Sequence, residues 1–203
     1  QSELQKHLID DVKQSGYMEQ AAQYMEAGNL WCVELDIHDF FDNISHFLLL
    51  EKIQRSISDE KILHLLSTYL RCTVLDDHIS FQKEEGILQG GPLSPLLSNI
   101  YLDELDWYME RKKYRFCRFG DDINIYSRTY AEAITCLDDV REHITGVEML
   151  PLNHKKTGIF KGLNRKYLGY RFESKKNSII VKKEAKAYRT VYRDWYTTGI
   201  QRL

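Results

Sequence analysis

Two short strand-forming segments, Arg115 to Phe119 and Ile123 to Tyr126, are separated only by Gly120-Asp121-Asp122, and this arrangement constrains the fold more than any other stretch of the chain. A glycine followed by polar residues between two runs of strand formers reads as a hairpin, here with carboxylates at its tip. Negative charge at the end of apolar strands is costly unless it is solvated, paired or metal-bound. A second acid of this kind, Asp36, lies near the end of the strand-like run Trp31 to Ile37 (WCVELDI). Taken alone, an Asp after a strand is more often a helix cap or turn former, and Gly-Asp-Asp is commonly a solvated turn.

The surrounding segments alternate between helices and hairpins. Residues 1 to 28 read as two helices, with Leu4, Leu8 and Val12 on one, Ala21, Tyr24 and Met25 on the other, and Gly28 placed to end the second. Asn43 and Ser45 precede a helix through Ile53, and Ser58 precedes another with Asp59 and Glu60 in its first turn and Ile62, Leu65, Leu66 and Tyr69 on one face. A short hairpin follows around Asp76 to His78. Ser94-Pro95 predicts a helix to about Glu110, the hydroxyl capping a free amide, and Thr129 with Glu132 predicts a capping box on a helix ending near Gly146. Lys166 to Phe172 and Ser178 to Lys182 read as strands joined by a Lys-Lys-Asn turn. The pattern predicts an α+β fold, an antiparallel sheet with helices packed on one face.

With 203 residues, no repeat, no linker-like tract and only three prolines, the chain reads as one continuous unit. Its 43% hydrophobic and 29% charged content is too apolar for general disorder. No apolar run reaches the roughly 18 to 20 residues of a membrane span, and no signal-peptide pattern opens the chain, so a cytoplasmic location with no membrane contact is expected. Cys32, Cys72, Cys117 and Cys136 lack metal-ligand spacing and read as reduced, buried thiols, and the seven histidines show no ligand spacing either. A net charge of −2 and a pI near 6.4 leave no overall basic footprint for nucleic acid. Lys and Arg nevertheless concentrate in Arg111 to Arg118 and Lys155 to Lys186, which leaves room for a locally basic groove.

Phosphoryl and nucleotidyl transfer need divalent cations to neutralise the attacking and leaving oxygens, and Mg²⁺ is held by a few carboxylates plus substrate phosphates. Asp36 and the Asp121-Asp122 pair are therefore the candidate ligands.

Five segments carry a family likeness: ELDIHDFFDNISH (Glu34 to His46), GILQGGPLSPLLSNIYLDELD (Gly86 to Asp106), RFGDD (Arg118 to Asp122), NHKKTGIF (Asn153 to Phe160) and KYLGYRF (Lys166 to Phe172). In this order the chain resembles bacterial reverse transcriptases of the group II intron-like lineage. The resemblance implies the palm of a right-hand polymerase. It would comprise a helical remnant of the fingers over 1–27, the palm with some fingers elements over 28–173, and over 174–203 a terminal strand and the start of a connection to a thumb or fused domain.

The resemblance further implies two Mg²⁺ ions, with Mn²⁺ as a substitute, held by Asp36, Asp121, Asp122 and the carbonyl of Ile37. Phe41 would exclude the ribose 2′-hydroxyl, although alone it reads equally as a core residue. Gln89 and Gly90 would line the nucleotide pocket. Lys156 would protonate or neutralise pyrophosphate, and Phe119, Gly120, Leu168 and Gly169 would support the primer. The implied partners are an RNA template, a DNA or RNA primer and deoxynucleoside triphosphates. Asp39, Asp42, Asp76, Asp77, Asp103, Asp106, Asp138 and Asp139 read as caps, turns and wet faces.

Three features depart from the lineage. Its usual tyrosine and alanine ahead of the aspartates are Phe119 and Gly120 here, the basic fingertip segments are not recognisable in residues 1 to 27, and no thumb is recognisable after Phe172. The compact N-terminus, the variant tip and the aromatic tail at Tyr192, Trp195 and Tyr196 lean toward the branch that works beside the CRISPR adaptation integrase in spacer acquisition. An intron-encoded maturase and a noncatalytic RNA-binding palm stay open.

Overall fold

A computed structural model describes residues 16–71, 73–76, 79–82, 85–163, 166–168, 170–175 and 178–183. The first predicted N-terminal helix, the tail after 183, Cys72 and Gly169 lie outside these residues. In chain order the first half contains α1 (16–26), β1 (Trp31–Leu35), α2 (His46–Gln54), α3 (Glu60–Leu70), β2 (Thr73–Asp76), β3 (Ile79–Gln82) and α4 (Ser94–Arg111). Then come β4 (Arg115–Phe119), β5 (Asp122–Ser127), α5 (Tyr130–Gly146), β6 (Gly158–Lys161), β7 (Lys166–Tyr167), β8 (Tyr170–Lys175) and β9 (Ser178–Lys183).

Four strands form an antiparallel sheet in the order β4-β5-β1-β6. The period of two along a strand sends alternate side chains to opposite faces. Val33 and Leu35 of β1 and Ile123 and Ile125 of β5 bury against Leu97, Tyr101, Leu105 and Met109 of α4 and Ala133, Val140 and Ile144 of α5. Each large apolar side chain buried this way contributes roughly 1.5–3 kcal/mol. Leu49 and Ile53 of α2 and Leu70 of α3 extend the same core.

The opposite face is divided. Cys32, Cys117 and Tyr126 are covered by Met18, Ala21, Ala22 and Met25 of α1, together with Tyr167 and Phe172 of the β7-β8-β9 sheet. Beyond that second core the face lies open, and Asp36 and Asp122 reach it. The antiparallel sheet and its one-sided helical layer match the sequence reading, and α1 adds a partial cover on the other side. Among the described residues no helix is long and apolar enough to cross a membrane. Cys32, Cys117 and Cys136 are buried thiols, as the sequence suggested.

Local signals account for most helix starts. The Ser45 hydroxyl accepts from Leu48 N, and Thr129 and Glu132 form both halves of a capping box on α5. Gly28, at φ +88°, terminates α1.

Four expectations need correction. Ser94 does not cap α4: its hydroxyl donates to the Leu88 carbonyl six residues back, bracing the preceding loop. Asp59, not Ser58, caps α3, accepting from Lys61 N and Ile62 N. Ile62 and Leu65 are 44% and 68% exposed, because α3 turns Leu63, Leu66 and Leu70 to the core. Lys166 to Phe172 is not one strand, since the Tyr167↔Tyr170 pair closes a tight hairpin in which Leu168 takes φ +48°.

One long-range tie positions the loop before α4. Gly86 N donates to Ile44 O and Ile87 N to Phe41 O, each at 2.7 Å, while His46 Nε2 donates to Gly86 O at 2.7 Å. A Cβ on Gly86 would sit 2.8 Å from Asp42 O and 2.9 Å from Asp42 Cα, and the residue holds φ +83°. Backbone contacts on this scale cannot be relieved by a rotamer change. Gly86→Ala is expected to lower stability by about 2–4 kcal/mol, combining overpacking with left-handed strain. A urea midpoint within error of the unmodified protein would contradict this.

Candidate active site

The β1–β5 register fixes the geometry of the acids. Leu35 pairs with Ile123, so the next antiparallel position brings Asp36 across from Asp122. Asp122 also pairs with Phe119 across the β4–β5 hairpin, leaving Gly120 and Asp121 as its two turn residues. Gly120 takes φ +62° while Asp121 keeps a negative φ, the sign pattern of a turn that favours glycine first. This explains locally why glycine precedes the two acids.

Asp36 is held through its backbone on the side of β6. Its carbonyl accepts from Asn153 N at 2.9 Å, and its amide donates to Thr157 Oγ1 at 3.2 Å. Between those two residues, Lys156 N donates to Asn153 O and Lys155 N donates to Asn153 Oδ1. The resulting turn sets Lys156 Nζ 3.2 Å from Asp36 Oδ2. Ile37 faces Leu152 in a bridge whose hydrogen bonds run from His38 N to Pro151 O and from Asn153 N to Asp36 O. In such a pair the central residue turns its own carbonyl away from the partner strand.

The acids repel one another. Burial pushes the Asp121 carboxyl above its ordinary value, and Asp36 adds to the rise while Lys156 opposes it. Asp122 is pushed up to about 6, by burial first and then by Asp121 and Asp36. Its side chain still presents surface to solvent at the cleft mouth, so the energetic consequence is smaller than that shift implies. Concentrated negative charge, offset by Lys156 and Lys155 at the same cleft, suits divalent cations. Among the described residues, no three Asp, Glu, His or Cys side chains are gathered closely enough to hold a metal ion by themselves, and Asp121 does not line the cleft that holds Asp36 and Asp122. An open set of carboxylates and a backbone carbonyl is the donor chemistry that Mg²⁺ uses when substrate phosphates complete its shell.

One cleft gathers Asp36, Asp122, Lys156 and Leu168. Another, which also reaches the hairpin turn, is lined by Phe41, Phe119, Gly120 and Pro95. Phe41 is half-buried with its ring 5.2 Å from that of Phe40, and Phe40 is the core member of the pair. Gln89 and Gly90 are exposed in the loop before α4, and Gly90 has φ +79° with open space around it.

Several contacts escaped sequence reasoning. Asp106 is no wet face, since Arg118 grips it with two nitrogens, and Asp139 accepts from Lys112 Nζ and Tyr114 Oη. Lys52 and Glu148 form a buried ion pair at 2.6 Å. Partners this far apart along the chain leave no periodic signature.

The family model described as reverse transcriptase (RNA-dependent DNA polymerase) matches residues 1–172. The chain belongs to the reverse transcriptase family. Protein YkfC of Escherichia coli is 29% identical over 168 aligned positions, taking in 66% of this chain and 44% of that protein. The group II intron-encoded protein LtrA of Lactococcus lactis subsp. cremoris is 42% identical over 91 residues, 45% of this chain and 15% of LtrA. The chain thus spans less than half the length of either relative. A telomerase structure from Candida albicans, solved with a fragment of telomeric RNA, shares the fold at a TM-score of 0.63 and 13% identity, covering 91% of this chain and 38% of that one.

The charge repulsion generates a test. Because the folded-state pKa of Asp122 lies above its unfolded value, folding favours the protonated form, and this contribution to stability fades as pH rises from 3.8 to about 6. Asp122→Asn should therefore be more stable than the parent above pH 6 by about 1 kcal/mol after allowance for solvent screening. The difference should close near pH 4. Thermal melts in metal-free buffer across this range measure it, and a gap independent of pH would contradict the assignment.

Proposed function

We propose that this chain is the palm of an RNA-directed DNA polymerase, adding deoxynucleotides to a primer 3′-hydroxyl on an RNA template. The observation that carries the reading is the β1–β5 register, which sets Asp36 beside Asp122 on the open face of the sheet in a chain of this family. Two Mg²⁺ ions, replaceable by Mn²⁺, would be held by Asp36, Asp121, Asp122 and the Ile37 carbonyl, and when bound would neutralise the attacking and leaving oxygens. The palm proper would occupy 28–173, with 1–27 belonging to fingers and 174–203 leading toward a thumb or fused domain.

The remaining roles belong to the chain's own groups. The Lys156 ammonium, paired with Asp36 and 67% exposed, would meet the negative charge released on pyrophosphate. Phe41 would present its ring to the sugar edge of the incoming nucleotide, and Gln89 and Gly90 would complete that pocket from the loop before α4. Phe119, Gly120, Leu168 and Gly169 would support the primer end. Nucleotide substrates and buried thiols suit the cytoplasm. The intron-encoded relative favours a maturase-type setting over work beside a CRISPR adaptation integrase.

Primer extension on an RNA template by the full-length protein tests the reading. Asp36→Ala, Asp121→Ala and Asp122→Ala should each reduce extension by at least 10³-fold, on the order of a lost oxyanion-type or metal interaction, while RNA binding survives. Equal extension by all versions would leave only a noncatalytic RNA-binding palm, the reading toward which the net charge of −2 and the fingertip motifs unrecognisable in residues 1 to 27 point, against the acidic trio. For Phe41→Ala, the ratio of ribonucleotide to deoxynucleotide incorporation should rise at least 10-fold, roughly the discrimination one steric contact supplies. An unchanged ratio would remove Phe41 from the sugar pocket.

A further inference from the structure

At the turn of the acidic hairpin Gly120 itself offers no packing, since even a Cβ there would meet nothing within 4 Å, and the neighbouring Phe119 packs edge-on against Tyr17. What holds the turn is Arg118. Its side chain is 9% exposed and uses all three nitrogens. Nε donates to Asp106 Oδ1 at 2.7 Å and Nη2 to Asp106 Oδ2, a bidentate grip on α4. Nη1 donates to the Gly120 carbonyl at 2.9 Å and to Asn99 Oδ1, also on α4, at 3.2 Å.

We infer that Arg118, braced by Asp106 and Asn99, is a positioning residue that latches the Gly120-Asp121 turn to α4 and so holds Asp121 and Asp122 in register for divalent cations. The inference rests on the metal-binding reading above. Arg118 pairs with Ile123 in the β4–β5 ladder, so its side chain leaves on the α4 face while Asp122 leaves on the open face. It therefore leaves on the face away from Asp122 and acts on the acids through the backbone of the turn, while with Asp106 and Asn99 it also lines the cleft that holds Phe41 and Phe119. The latch matters because the β1–β5 register faces Asp36 with Asp122, like charges beside a turn of only two residues. A planar guanidinium reaches a carboxylate and a carbonyl at once, whereas an ammonium offers no fixed fork.

Mn²⁺ titration of the full chain followed by electron paramagnetic resonance reads the site without polymerase activity. Arg118→Lys keeps the charge opposite Asp106 but gives up the bond to Gly120. It should bind Mn²⁺ 10- to 100-fold more weakly, the usual cost of losing support behind metal ligands, while its metal-free melting temperature stays within a few degrees of the parent. In primer extension, the Mn²⁺ concentration for half-maximal rate should rise by the same factor. Asn99→Ala, at an exposed position, should fold regardless and weaken Mn²⁺ binding by a smaller factor of about 2–5, one neutral bond to a charged group being lost.

An Arg118→Lys protein that melts lower but binds Mn²⁺ like the parent would reduce Arg118 to a structural ion pair and overturn the inference. Should Arg118→Lys fail to fold, parent-like affinity in Asn99→Ala would overturn it alone. Failure of the parent chain itself to bind Mn²⁺ would instead strike at the metal reading, a result distinguishable from the first two.

Discussion

Antiparallel hydrogen bonding between β1 and β5 sets a single register, and the site depends on it. With Leu35 opposite Ile123, the apolar half of each strand goes to the α4–α5 core and the acidic half to the open face. A slip of β1 by one residue would turn Asp36 toward the α4–α5 core around Leu105 and expose Val33 and Leu35 instead. The core thus enforces the placement of the carboxylates more firmly than any contact the carboxylates make themselves. Burial first, and the neighbouring carboxylates after it, push the other way by raising the Asp121 and Asp122 carboxyls.

The elements around the acids all act on backbone. Asn153 and Thr157 fix the Asp36 peptide groups, Gly86 allows the loop before α4 to lie against residues 41 to 44, and Arg118 fixes the hairpin turn. Such a scaffold orients side chains without contributing atoms that would compete with a substrate. α4 has a double part in it: Ser94 braces the Gln89–Gly90 loop from one end of the helix, while Asn99 and Asp106 hold Arg118 farther along. The two loops that approach the cleft from this side share one rigid support.

Signals confined to a few neighbouring residues were legible in the sequence. The hairpin around Gly120-Asp121-Asp122, the Thr129–Glu132 capping box and the Ser45 start of α2 depend on local spacing, and each forms where that spacing indicates. Ser94 shows where this reasoning stops, because its hydroxyl had a competing acceptor at Leu88 that propensity alone could not reveal. Ile62 and Leu65 formed as good an apolar stripe as Leu63, Leu66 and Leu70, and only the docking of α3 chose between them. The Lys52–Glu148 and Arg118–Asp106 pairs join elements brought together by the fold, and the need for glycine at Gly86 comes from the approach of Asp42. Of the candidate site, the strand-end positions of Asp36, Asp121 and Asp122 were legible from local pattern, whereas the residues that aim them were not.

Convergence of Asp36, Asp121 and Asp122 on shared divalent ions is the central claim, and anomalous diffraction from crystals of the chain grown with Mn²⁺ and a nucleoside triphosphate tests it most directly. The account predicts manganese peaks on the open face of the sheet, within coordination distance of Asp36 and Asp121 oxygens, that vanish in Asp36→Asn crystals. Manganese bound only elsewhere on the chain, with the three carboxylates contacting water alone, would contradict it.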